Sequence, residues 1–134
     1  MVEKTKKHIK TLNFTYKDFI KSINYIVKKI KESGKKYDYI YGIPRGGLIV
    51  ALYLSHRLNI PILTQPDEEI VFENNLLIVD DIQDTNKTLS EYENFRWDKA
   101  VLISKMKGFK RDSKVITKRI VSDNIWVKFF WEVD

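Results

Sequence analysis

The sequence predicts an α/β domain built on an open parallel sheet flanked by helices. Three observations carry this prediction. Short apolar runs, Leu76-Leu77-Ile78-Val79 and Ala100-Val101-Leu102-Ile103, lack the polar alternation of a half-exposed strand and suit strands buried on both faces. Stretches of helical periodicity stand between such runs, as the crossovers of a parallel sheet require. Finally, 134 residues, 43% of them apolar, can bury one core but not two.

In chain order, Phe14-Thr15-Tyr16-Lys17-Asp18-Phe19 reads as a helix start. Thr15 can cap, Asp18 stands in the capping-box position, and Phe14 can staple against Phe19. Ile20, Ile23, Val27 and Ile30, with Ile26 beside them, form an apolar stripe opposite Lys17, Lys21 and Lys28, and Gly34 stops the helix. This cover helix needs a sheet to lie on. Residues 37–43 suit a short buried strand in which Tyr37, Tyr39 and Tyr41 pack. Residues 48–58 form an apolar-rich helix ended by Asn59 and Pro61. Residues 61–64 read as a second strand, 65–69 as a turn and 70–73 as a third strand. Asn74-Asn75 turn the chain into the central strand 76–79. Asp84-Thr85 then opens a helix with Leu89, Tyr92 and Phe95 on one face, and residues 100–103 form another buried strand. Residues 120–133 supply an edge strand and a pocket wall. Trp97 reads as core, His8 as surface and His56 as a helix residue near its last turn.

Composition narrows the function. No apolar run reaches the roughly 18 residues of a membrane span, and the charged residues 1–7 have no apolar segment behind them, so no signal peptide is expected. The absence of Cys excludes disulfides, thiol catalysis and cysteine-bound zinc, and fits a cytoplasmic location. The net charge of +6 is uneven, because residues 1–36 hold eleven Lys against Glu3, Asp18 and Glu32. Such a front end can attract nucleic acid, but a lysine-rich helix solvating its outer face is the preferred reading.

Two polar segments follow predicted strands, the place where open α/β sheets bind ligands. In Gly42-Ile43-Pro44-Arg45-Gly46-Gly47, glycines permit close backbone approach, the following helix start attracts anions, and Arg45 adds a positive fork. The alternative is a glycine-eased turn with a surface Arg. In Asp80-Asp81-Ile82-Gln83-Asp84-Thr85-Asn86-Lys87-Thr88, adjacent carboxylates can accept from vicinal sugar hydroxyls or approach a divalent cation. The hydroxyls, ammonium and N–H groups after them can cradle a phosphate. A P-loop is excluded, because its glycines are missing before Lys87.

Residues 79–88 resemble the signature that type I phosphoribosyltransferases use to bind 5-phosphoribosyl 1-pyrophosphate (PRPP), and residues 42–47 resemble their pyrophosphate loop. The two motifs, in this order and about 35 residues apart, are far more specific than either alone. The resemblance spans residues 37–131 and is strongest to the bacterial xanthine–guanine branch. There residues 123–131 resemble an aromatic hood and Ile103-Ser104-Lys105 the purine-reading lysine.

With no internal repeat, low-complexity tract or linker, the chain reads as one domain over residues 1–134, with a basic arm and cover helix at 1–36, and the resemblance makes 120–134 a purine-side hood. It implies that Arg45, Gly46 and Gly47 bind pyrophosphate, with the Pro44–Arg45 peptide cis. Asp80 and Asp81 would hold the ribose hydroxyls, with Asp81 also near Mg²⁺. Asp84 would act as acid/base at purine N7, and Thr85, Asn86, Lys87 and Thr88 would hold the 5′-phosphate. Lys105 would donate to the 6-oxo group, with Lys107 a second candidate. Trp126 would stack on the base and the Val127 backbone would meet its edge. The implied activity is Mg²⁺-dependent transfer of phosphoribose from PRPP to a 6-oxopurine (guanine, xanthine or hypoxanthine), a purine-salvage step releasing pyrophosphate. The alternatives are a catalytically weak sensor of PRPP or nucleotide, and transfer to another acceptor. The implied partners are PRPP, a purine base and further copies of the chain in a dimer or tetramer, with no membrane; nucleic acid is not the expected partner, though a sensor of this fold could touch it through its basic N-terminal region. Two departures from the family stand out: Asn86 replaces a glycine, and the segment 65–75, usually a long mobile cover, is short and acidic.

Overall fold

The computed structural model describes residues 10–65, 67–84, 97–105 and 115–133; the side chains of Glu68, Val71, Phe72 and Asp84 are outside that description. Its elements in chain order are β1 (Lys10–Phe14), α1 (Tyr16–Ser33), β2 (Tyr39–Gly42), α2 (Gly46–Leu58), α3 (Glu68–Glu73), β3 (Leu76–Asp84), β4 (Asp98–Lys105), β5 (Val115–Ile116), β6 (Arg119–Val121) and β7 (Ile125–Phe129).

The main sheet runs β2-β3-β4-β5, with β6 also paired to β4, and each pairing is parallel. Side chains of β3 alternate between two cores. Leu77 and Val79 join Phe19, Ile23, Ile26, Val50 and Leu54 beneath α1 and α2, whereas Leu76 and Ile78 join Trp97, Val101 and Val115 on the other face. Burial on both faces explains the unbroken apolar runs at the start of β3 and in the middle of β4. Trp97 is core, as the sequence indicates.

Helix α1 starts as its sequence predicts. Asp18 N–H donates to Thr15 Oγ1 at 3.1 Å, Thr15 N–H donates to Asp18 Oδ2 at 3.0 Å, and Gly34 closes the helix at φ 72°. The reciprocal bonds hold the Asp18 carboxyl below its usual range.

Several expectations change. Residues 70–73 are not a strand but the end of α3, because Asp67 caps that segment by accepting from Ile70 N–H at 2.9 Å. Residues 61–64 contribute only a single bridge, Ile62 to Ile40, since Pro61 has no N–H for a ladder. The chain before α1 is more than a basic arm: β1 pairs in parallel with β7, Leu12 opposite Val127 and Phe14 opposite Phe129, in a separate two-stranded sheet. The tail accordingly divides, β6 extending the main sheet and β7 joining β1. The helix start expected at Asp84-Thr85 is only half in view. Asp84 ends β3, opposite Lys105; the helix expected after it lies outside the described residues.

Candidate functional site

The site forms where β3 outruns β2. The last β2 pair is Gly42 with Val79, after which Ile43 N–H donates to Val79 O at 2.9 Å and Pro44, which has no N–H, turns the chain away. On its other edge β3 stays paired with β4 through Asp84. Asp80 and Asp81 therefore sit within the strand, not past its end as the sequence predicts. They are held by β4 on one side while the other side is filled by the start of α2.

That start is pressed against the acidic strand. The Pro44–Arg45 peptide bond is cis, as the resemblance implies. Gly47 N–H donates back to Ile43 O at 2.8 Å. A Cβ on Gly47 would meet Val79 O at 2.7 Å, and a Cβ on Gly46 would overlap the Asp81 carboxylate. Only glycine allows this approach.

The carboxylates are held by their own backbone: Asp80 Oδ1 accepts from Asp81 N–H and Asp81 Oδ1 from Ile82 N–H, each at 2.8 Å. Asp80 is only 7% exposed. Burial first, then the neighbouring Asp81 charge, pushes its carboxyl well above the usual range. Burial raises Asp81 as well, with a lesser contribution from Glu132.

In front of this pair lies a cleft of about 880 Å³ lined by Arg45, Gly46, Ile49, Asp81, Ile82, Lys105, Trp126, Val127, Phe129, Trp131, Glu132 and Val133. Its size suits a small-molecule ligand. Lys105 reaches it from the end of β4, where its neighbours leave it 5% exposed. Trp126 and Val127 come from β7, so the second sheet forms the far wall. In the same lining the Phe129 and Trp131 rings stack at 4.7 Å and 8°, and Glu132 Oε1 accepts from Phe129 N–H at 2.8 Å, fixing the turn after β7.

Of the residues singled out from sequence, the cleft thus gathers Arg45, Gly46, Asp81, Lys105, Trp126 and Val127. Asp80 and Gly47 lie buried behind it, and Asp84 is placed by its backbone at the strand end. Thr85, Asn86, Lys87, Thr88 and Lys107 fall outside the described residues. Sequence reasoning missed Glu132, a lone acid in an aromatic tail with no motif around it.

The chain is similar to a purine phosphoribosyltransferase from Pyrococcus horikoshii, with 26% identity, a TM-score of 0.76, and 94% of this chain and 96% of that one covered. The chain has the type I phosphoribosyltransferase fold. Two further structures share this fold: a Neisseria gonorrhoeae protein with bound ppGpp (24% identity, TM-score 0.70, coverage 92% and 90%), and the xanthine–guanine–hypoxanthine phosphoribosyltransferase of Helicobacter pylori (18%, 0.66, 92% and 94%). No protein-family model and no curated protein matches the sequence. In each of the three comparisons at least 92% of this chain is covered.

Proposed function

We propose that the chain catalyses Mg²⁺-dependent transfer of phosphoribose from PRPP to a 6-oxopurine, releasing pyrophosphate. The observation that supports this reading is the cleft itself, whose lining includes Arg45, Gly46, Asp81, Lys105 and Trp126. In the reaction the C1′–O bond to pyrophosphate breaks and a C1′–N bond to the base forms. Positive charge builds on the sugar and negative charge on the leaving group. Carboxylates beneath the ring and the Arg45 guanidinium match both. In this proposal Asp80 and Asp81 accept from the ribose hydroxyls, and Asp84 exchanges the proton at purine N7. Thr85, Asn86, Lys87 and Thr88 hold the 5′-phosphate, while Gly47 lets α2 close on the strand beside Arg45 and Gly46. Lys105 donates to the 6-oxo group, Trp126 stacks on the base, and the Val127 backbone meets its edge.

The donor set fits magnesium. Among the described residues no three His, Cys, Asp or Glu cluster as in an all-protein cage. Mg²⁺ is typically held by one or two carboxylates with waters and substrate oxygens. Asp81, whose carboxyl is disfavoured as an isolated anion, is the residue that would hold it. The ion would supply charge neutralisation at the pyrophosphate.

Two further parts of the proposal are a cytoplasmic location and assembly with copies of the chain. Among the described residues no helix is long and apolar enough to cross a membrane. Leu48 and Leu52, one turn apart on α2, are each 49% exposed, which supports a helix face covered by a second copy. Light scattering should give a dimer or larger for the unaltered chain and a monomer for Leu48→Glu with Leu52→Glu; a monomer in both removes this part.

The competing reading is a nucleotide sensor, favoured by the ppGpp bound to the Neisseria protein of this fold. Steady-state assay with PRPP, Mg²⁺ and each of guanine, xanthine, hypoxanthine, adenine and orotate separates the two. Nucleotide formation supports the transferase, and tight nucleotide binding without turnover supports the sensor.

A further inference from the structure

The outer face of α1 carries a row of cations that the proposed reaction does not use. Lys17, Lys21, Asn24, Lys28 and Lys31 recur at steps of four, three, four and three, which sets them on one line along the helix. All five are exposed. Asn24 is the neutral member, and there Arg57, from the last turn of α2, completes the row by donating Nη1–H to Asn24 Oδ1 at 2.5 Å. The result is five positive charges along about 21 Å, at 1.5 Å of rise per residue.

Two acids of the same helix border the row, Asp18 three residues before Lys21 and Glu32 four residues after Lys28, but both are engaged elsewhere: Asp18 in the cap with Thr15, and Glu32 with Lys29 at 3.8 Å. Among the described residues no carboxylate forms an ion pair with a member of the row. The opposite face of α1 is committed to the core through Phe19, Ile23, Ile26, Val27 and Ile30. The helix therefore has no apolar side to insert into lipid, which disfavours a membrane surface. A single line of cations is complementary to a partner whose anions also follow a line.

We propose that this row binds the phosphate backbone of a single-stranded nucleic acid, without regard to base sequence. Where the sequence alone favours a merely solvated face, the alignment of the lysines and the Arg57 insertion at Asn24 give that face a shape. No residue of the row lines the cleft, so binding here and chemistry there are separable.

Fluorescence anisotropy of the full chain with a labelled single-stranded RNA of about 20 nucleotides tests the proposal. Binding should appear at about 50 mM salt and weaken about 100-fold by about 200 mM, the response of five contacts at a slope of about 0.7 each. Lys21→Gln with Lys28→Gln should lower that slope by about 1.4 and weaken binding at low salt by about tenfold or more. Lys36→Gln with Lys118→Gln removes equal charge from exposed positions off the row and should change affinity less than about threefold. An unchanged thermal midpoint in both double variants confirms that the fold is kept. No binding at low salt, equal losses from the two pairs, or row-dependent binding to phosphatidylserine vesicles without RNA binding would overturn it.

Discussion

Gly46 faces Asp81 across so small a gap that a Cβ on the glycine would fall within the carboxylate. The helix start proposed to meet pyrophosphate and the acid proposed to meet ribose and Mg²⁺ are thus one packed unit. Neither can change alone.

Gly46→Ala should therefore act through Asp81. The Asp81 side chain is short and its Oδ1 is bonded to Ile82 N–H, so making room costs that bond, about 0.5–1.5 kcal/mol. In an Asp81→Ala background the same substitution should cost almost nothing, a coupling that urea denaturation of the four proteins measures. Additive effects would show that the two do not touch. Gly47→Ala has no such relief, because its Cβ meets the backbone of Val79; it should destabilise by about 1–3 kcal/mol whatever stands at position 81.

The buried acids predict an inverted pH dependence. Asp80 binds its proton more tightly folded than unfolded, its carboxyl being pushed up to about 8. Between about pH 4 and pH 8 this group holds more proton in the folded state, so its contribution to the stability of the ligand-free protein falls as pH rises through that window. Asp80→Asn should flatten the slope and leave the variant more stable than the unaltered chain at pH 8 by about 1 kcal/mol or more. Thermal denaturation across pH checks this; parallel curves for the two proteins would contradict it.

Base recognition should separate from PRPP binding. Trp126→Ala should weaken purine binding by about 1–3 kcal/mol, roughly 5- to 150-fold, while PRPP affinity holds in calorimetry. Lys105→Ala should penalise 6-oxopurines and spare adenine, which has no carbonyl at that position. Adenine preferred by the unaltered protein would remove Lys105 from this role.

How much of this was legible in the residues follows from range. The α1 cap and stripe, the β2 and β3 runs and the Pro44-Arg45-Gly46-Gly47 turn are written in local patterns, and they are seen as read. The strand β1 was not, because Lys10-Thr11-Leu12-Asn13-Phe14 is mostly polar and becomes a strand only by pairing with β7, more than a hundred residues away. Residues 70–73 looked extended because Ile70, Val71 and Phe72 favour strands, yet the Asp67 cap decided the segment. The acids were expected past a strand end because the apolar run stops at Val79, but β4 keeps β3 paired for five further residues. Glu132 depended on the turn after β7 and had no local signal.

The central claim is phosphoribosyl transfer, and the most direct measurement is steady-state turnover of guanine with PRPP and Mg²⁺. Such a reaction makes a cationic sugar that water can intercept, so covering the site is part of the chemistry. The segment between α2 and β3, where the resemblance places the cover, is short, carries Asp67, Glu68, Glu69 and Glu73, and contributes none of its described residues to the cleft lining. The account therefore predicts guanine nucleotide at rates below the usual roughly 1–10³ s⁻¹, accompanied by PRPP hydrolysis, both lost in Asp80→Asn with Asp81→Asn. No nucleotide from any base, from a protein that binds PRPP or ppGpp in calorimetry, would contradict it and leave a sensor.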